Sequence, residues 1–87
     1  GEKSLVKAKS VNINKADIGI ATKDSSILKL GQASLKNLNT CISAYNKKQE
    51  FQGGLIKVEK IECESYKNKF DIDKLSKVLL NNVAQSN

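Results

Sequence analysis

The stretch SILKLGQASLKNLNTCISAY, residues 26–45, carries the most regular apolar pattern in the chain. Its apolar and small residues recur at intervals of three and four, which is the spacing of one face of an α-helix. Asp24, Ser25 and Ser26 precede the pattern, and all three are good N-terminal caps. We therefore predict an amphipathic helix here. Its buried stripe contains Leu28, Gly31, Leu35, Leu38, Ile42 and Tyr45.

The segments on either side of this helix predict strands and one further helix. Residues 4–13 and 16–22 alternate between apolar and polar side chains, and the alternation changes parity near Ser10. After two successive glycines, residues 55–66 resemble one bulged strand or two short strands. Asp71 is placed to cap a last helix. The apolar face of that helix consists of Ile72, Leu75, Val78, Leu79 and Val83.

These elements predict that residues 1–87 form a single small α+β domain. Two amphipathic helices would pack on a mostly antiparallel sheet of three or four short strands, so that each apolar stripe is buried once. The sequence shows no obvious internal repeat of the length that builds solenoids. A chain of this size buries only about 60–65% of its unfolded surface, so a covalent crosslink would add substantially to its stability.

The two cysteines, Cys41 and Cys63, are the natural candidates for that crosslink. On a helical wheel Cys41 lies at the boundary between the apolar and polar faces, while Cys63 shares an inward-facing parity with Ile61. A disulfide between them would contribute about 3 kcal/mol by the loop-entropy model. The alternative is a pair of buried thiols that pack as small apolar groups. We favour the disulfide because the cysteine count is even and the chain lacks an initiating methionine.

The sequence predicts no catalytic, metal-binding or cofactor-binding residue, and hence a protein that is not an enzyme. Histidine is absent, so neither a nucleophilic cysteine with its usual base nor a common zinc-ligand set is available. Asp71 and Asp73 are accounted for by helix capping. The glutamates of residues 59–64 alternate with lysines, which is typical of a solvated strand face.

The formal net charge is +6, and all of the positively charged side chains are lysines, because arginine is absent. A basic N-terminal part of the chain makes an anionic partner conceivable. The candidate contact residues there are Lys3, Lys7, Lys9 and Lys15. Nucleic acid is the weaker interpretation of this charge. Arginine, which makes bidentate contacts with bases and phosphates, is absent, and no aromatic side chains are interleaved with the lysines.

The functional hypothesis is a non-enzymatic, exported binding module that is periplasmic or secreted. It would be an accessory subunit or a lipoprotein of an envelope, secretion or pilus assembly, with another protein as its partner. No apolar run is long enough to span a membrane, although a signal peptide or N-terminal anchor could have been removed. Exposed strand edges at residues 5–13 or 55–65 are the expected contacts. Two alternatives stay open: a cytoplasmic, non-specific nucleic-acid-binding module, and an inhibitor or immunity protein.

Overall fold

The computed structural model describes residues 5–23, 26–45 and 53–87, and these residues form one mixed β-sheet. They contain no helix, so the predicted α+β fold with two helices is wrong. Five strands follow one another in sheet order as in sequence order. They are β1 (Leu5–Lys23), β2 (Ile27–Tyr45), β3 (Leu55–Ile72), β4 (Lys77–Leu80) and β5 (Val83–Ala84).

The first four strands pair in parallel with a constant register. Leu5 of β1 faces Ile27 of β2, Ile27 faces Leu55 of β3, and Leu55 faces Lys77 of β4. The mostly antiparallel sheet predicted from sequence is therefore wrong, since only β4 and β5 pair antiparallel. The register also shows a structural repeat with intervals of 22, 28 and 22 residues. The chain thus has a repeat of solenoid length that sequence inspection missed.

Each long strand is wound into a coil. A straight strand of 19 residues would span about 60 Å, yet the longest dimension of the molecule is 35 Å. Four residue steps, at most about 14 Å, lead from the end of β1 to the start of β2, which lies beside the start of β1. Each of β1, β2 and β3 must therefore bend back almost to its own beginning. The architecture is a short stack of parallel β-coils around one interior.

This winding explains why residues 26–45 resemble a helix. Inward-facing side chains of β2 are two residues apart along a flat stretch and three apart across a bend, as with Leu30, Ala33, Leu35 and Leu38. The mixture of intervals imitates helical spacing. Two members of the predicted stripe do not fit, because Gly31 is only half-buried and Tyr45 is 37% exposed. The apolar core is made chiefly by β2. Its buried members are Ile20, Leu30, Ala33, Leu35, Leu38, Cys41, Ile42, Ala44, Ile56, Val58 and Val78.

The predicted last helix is also wrong. Asp71 lies within β3, and Asp73 accepts a hydrogen bond from the backbone N–H of Leu75 at 3.1 Å, so that it stabilises a turn. Leu75, expected on the buried face, is 56% exposed. Residues 77–84 form the β4–β5 hairpin, whose two-residue loop consists of Asn81 and Asn82 with φ of 48° and 66°. Positive φ at both loop residues is typical of the type I′ turn, which asparagine tolerates.

The two ends of the stack differ. At one end β5 pairs with the outer edge of β4, and the side chain of Asn87 both donates to and accepts from the backbone of Ile72. At the other end, no strand among the described residues pairs with the outer edge of β1. The two strands expected at residues 4–13 and 16–22 are both parts of β1 over residues 5–13 and 16–22, and residue 4 lies outside the described residues. Their parity does change near Ser10, since Ala8 and then Val11 and Ile13 face the interior.

One bend recurs at the same place in three successive coils. Lys15, Asn37 and Ser65 have φ of 65°, 58° and 57°, and the register of the strands aligns them. The side-chain amide of Asn37 donates a hydrogen bond of 2.8 Å to the side-chain oxygen of Asn14 in the preceding coil. The left-handed conformation disfavours ordinary side chains, and least so asparagine among the non-glycine residues.

This bend gives a first prediction. Asn37→Val is expected to lower the free energy of unfolding by about 2 kcal/mol, because a β-branched side chain is strained at positive φ. Asn37→Gly is the matched control, since it removes the same hydrogen bond but adopts this backbone without strain. Urea denaturation followed by circular dichroism measures both. Equal destabilisation by the two substitutions would contradict a left-handed bend at this residue.

Candidate lysine-lined interface

The parallel register brings three lysines into one column. Lys7 of β1 faces Lys29 of β2, which faces Lys57 of β3. Neighbouring strands lie about 4.8 Å apart, so the three side chains leave the sheet at that interval along the axis of the stack. Lys7 and Lys29 are exposed and Lys57 is half-buried. We call these three residues the lysine column.

A groove runs beside the lysine column. Its volume is about 430 Å³, and its lining includes Lys7, Lys29, Lys57, Gly31, Glu59 and Asn82. At Gly31, which also lines the groove, a Cβ atom would come within 2.6 Å of the backbone oxygen of Lys9, so no larger residue fits there without a backbone shift. The glycine therefore leaves this part of the lining without a side chain.

The charges of the column are not neutralised within the described part of the chain. Across residues 5–23, 26–45 and 53–87 the salt bridge that forms joins Lys36 to Glu64, at 3.9 Å between exposed side chains, away from the column. Like charges directly opposite one another on adjacent strands destabilise a sheet. A bound anion would therefore stabilise the sheet here, because it would reduce the repulsion among the three lysines.

The outer face beside the column is apolar. Side chains two residues apart along a strand point to the same face, so Leu5, Ile27 and Leu55 form a row next to the lysines. Leu5 is 55% exposed, while Ile27 and Leu55 are half-buried. The outer face thus combines an apolar row with a cationic row, and both begin at the edge of β1 with which no described strand pairs.

The four lysines predicted as contact residues do not form one cluster among the described residues. Lys7 belongs to the column, and Lys9 lies in the next outward-facing row of the same face. Lys15 lies at the left-handed bend and lines a separate groove with Asp17 and Asn37. Lys3 lies outside the described residues.

Sequence reasoning missed Lys29 and Lys57. A signal for them exists, because the tetrapeptides LVKA, ILKL and LIKV begin at residues 5, 27 and 55. Each contains two apolar residues, a lysine and a further apolar residue. Aligning these tetrapeptides would have revealed both the repeat and the column.

The predicted disulfide is confirmed. Cys41 of β2 is bonded to Cys63 of β3, with their Cα atoms 6.4 Å apart. Its expected setting is wrong, since no helix crosses the sheet there and Cys41 is completely buried rather than at a boundary. The bond links two adjacent coils within the apolar interior. Both thiols are used, so neither acts as a nucleophile or a metal ligand in this state.

In the described part of the chain, no three His, Cys, Asp or Glu side chains cluster as a metal site would need. Over the same residues, there is no helix with the length and apolar character required to cross a membrane. The chain matches no protein-family model, no curated protein and no solved structure.

Proposed function

We propose that the protein is a non-enzymatic, exported module that binds a partner protein by strand addition. The free edge of β1 receives an extended segment of the partner, parallel to β1 and in register with it. This mode of recognition obtains affinity from main-chain hydrogen bonds and specificity from alternating side chains. An oxidised cysteine pair in the core supports an oxidising compartment, and hence a periplasmic or secreted location.

The observation that carries this proposal is the uncovered state of β1. No described strand pairs with its outer edge over Leu5–Lys23, whereas at the other end β4 pairs with β3 over Leu55–Val58 and β5 pairs with Leu79 and Leu80 of β4. Val6 has the parity of the interior, because it faces the half-buried Leu28, and yet it is 53% exposed. An apolar side chain from an added strand would cover Val6 in the way that Leu28 is covered by its own neighbours.

The charge of β1 indicates the chemistry of the partner segment. The strand contains Lys7, Lys9, Lys15 and Lys23 against a single acidic residue, Asp17. An added strand with acidic residues opposite these lysines would remove like-charge repulsion along the outer rows. The partner segment is therefore extended, with alternating apolar and acidic residues.

A synthetic peptide tests this proposal directly. The probe carries residues 55–66 of the protein with Lys57→Glu, Lys60→Glu and Cys63→Ser. In the register of the stack, the substituted position 57 opposes Lys7 and the native Glu59 opposes Lys9, while Lys60→Glu removes the remaining lysine from the peptide. Binding is measured by fluorescence anisotropy, and the contact is located by amide hydrogen exchange. We expect protection along β1, and no binding of a scrambled peptide of the same composition.

Charge reversal supplies the control. The double variant Lys7→Glu/Lys9→Glu is expected to weaken binding of the acidic peptide at least about tenfold, equivalent to about 1.4 kcal/mol. It should bind instead the same peptide with lysines at the opposing positions. Lys67→Glu/Lys69→Glu, on β3, changes the net charge equally and should leave affinity nearly unchanged. Equal loss in both variants would indicate non-specific attraction and overturn the proposal, as would dimerisation of the protein through β1 in sedimentation experiments.

The lysine column is the feature most favourable to nucleic acid, but none of the described aromatic residues lines its groove. Bases would have no stacking surface there. An inhibitor or immunity protein stays a prediction without a specific structural observation in its favour.

A further inference from the structure

The lysine column presents a problem that the proposed strand addition does not solve. An added strand covers Lys7 at the end of the stack, but Lys29 and Lys57 lie on interior strands, beyond its reach. Their ammonium groups repel one another, and no described carboxylate makes an ion pair with either of them. After strand addition, the ammonium groups of Lys29 and Lys57 would therefore still repel each other along the axis of the stack.

We propose that the lysine column is a binding site for a linear polymer that carries closely spaced tetrahedral oxyanions, such as phosphate or sulfate groups. The polymer lies along the axis of the stack, across the strands, and places one anion against the lysine of each coil. The site goes beyond the proposed function, because it does not need the free edge of β1.

The spacing and the groove carry this assignment. Lysines that leave adjacent strands at intervals of about 4.8 Å match a chain of anions more closely than a single small ion. Lysine acts toward an oxyanion as a point charge with rotatable donors, so it needs no fixed orientation of the anion. The groove beside the column offers a volume of about 430 Å³, and Gly31 contributes no side chain to its lining.

Glu59 lies beside the lysine column and provides a test of the proposal. It is exposed, lines the same groove and lies two residues after Lys57 on the same face of β3. Its carboxylate repels a bound polyanion at one side of the column. Glu59→Gln is therefore expected to strengthen binding, whereas a residue that merely supported the fold would have no such effect.

The experiment measures binding of inorganic polyphosphate by isothermal titration calorimetry over a series of salt concentrations. Lys29→Gln/Lys57→Gln is expected to weaken binding at least about tenfold and to lower the slope of log affinity against log salt by about two. Both substitutions remove like-charge repulsion, so the variant should be as stable as the unmodified protein. Lys67→Gln/Lys74→Gln, with the same net charge, should lose less than about twofold.

Further probes separate the possible ligands. Dextran sulfate in place of polyphosphate distinguishes a sulfated from a phosphorylated polymer, and binding of either that depends on Lys29 and Lys57 supports the site. Orthophosphate should bind far more weakly than the same concentration of polymeric phosphate. Tighter binding of oligo(dT) than of polyphosphate, or equal losses in the two lysine pairs, would overturn the proposal.

The two proposals fail separately. Lys29→Gln/Lys57→Gln should leave binding of the acidic peptide to β1 intact. Conversely, if the protein binds polyphosphate through Lys29 and Lys57 but does not bind the peptide, the lysine-column proposal stands and the strand-addition proposal is wrong.

Discussion

Leu30→Ala is expected to lower the free energy of unfolding by about 2–5 kcal/mol, which is the cost of deleting a buried leucine side chain from a core. Leu30 is only 5% exposed and lies between Ala8 of β1 and Val58 of β3, so neighbouring coils close over it on both sides. Small domains are stable by about 5–15 kcal/mol in total, so this loss is a large fraction. The shift of the urea midpoint at constant slope measures it.

Leu30 also distinguishes the coil from a helix. In the helical interpretation of residues 26–45, Leu30 lies about 110° from the centre of the apolar stripe, on a wheel with 100° per residue. Leu5→Ala is the matched control, because Leu5 is 55% exposed and should lose well under half as much. A small effect at Leu30 would contradict the inward orientation that the coil gives to this side chain.

Local strand patterns could be predicted from the sequence, but their winding could not. The alternation in residues 4–13 and its change of parity near Ser10 depend on neighbours along the chain, and both are present in β1. The winding depends on bends, where the inward-facing interval becomes three instead of two. Interpreted from the sequence alone, residues 26–45 resemble a helix, since an interval of three between inward-facing residues occurs in both patterns.

The repeat was hidden by its unequal intervals. Successive coils begin 22, 28 and 22 residues apart, so no single period aligns all of them. The inward-facing positions also change identity from coil to coil, as at Ile13, Leu35 and Cys63. What is kept is the apolar character of the position, because the stack requires only that each level of the interior be filled.

The candidate site likewise depends on the register between strands, which the sequence does not show locally. Lys7 and Lys9 stand out in sequence because they belong to a locally basic segment. Lys29 and Lys57 lie among mixed residues and become neighbours of Lys7 only through the register of three strands. The disulfide was predictable because it depends on cysteine number and on the need of a small domain for a crosslink, neither of which requires the correct fold.

Reduction of the Cys41–Cys63 disulfide is expected to lower the free energy of unfolding by about 3 kcal/mol. The bond closes a loop with a sequence separation of 22, and the loop-entropy model assigns about this value to a loop of that length. Reduction isolates the crosslink, because it breaks the bond without removing either sulfur atom from the protein. Thermal denaturation with and without dithiothreitol should therefore show two well-separated midpoints.

The double variant Cys41→Ala/Cys63→Ala is the control for this prediction. It should be destabilised at least as much as the reduced protein, since Cys41 is fully buried and loses its packing too, and dithiothreitol should not change it further. Thiol counting on unfolded protein made in an oxidising compartment completes the test. Two thiols blocked until reduction support the bridge between coils and the exported location. Two thiols that react without reductant would contradict the bridge and remove the main support for export.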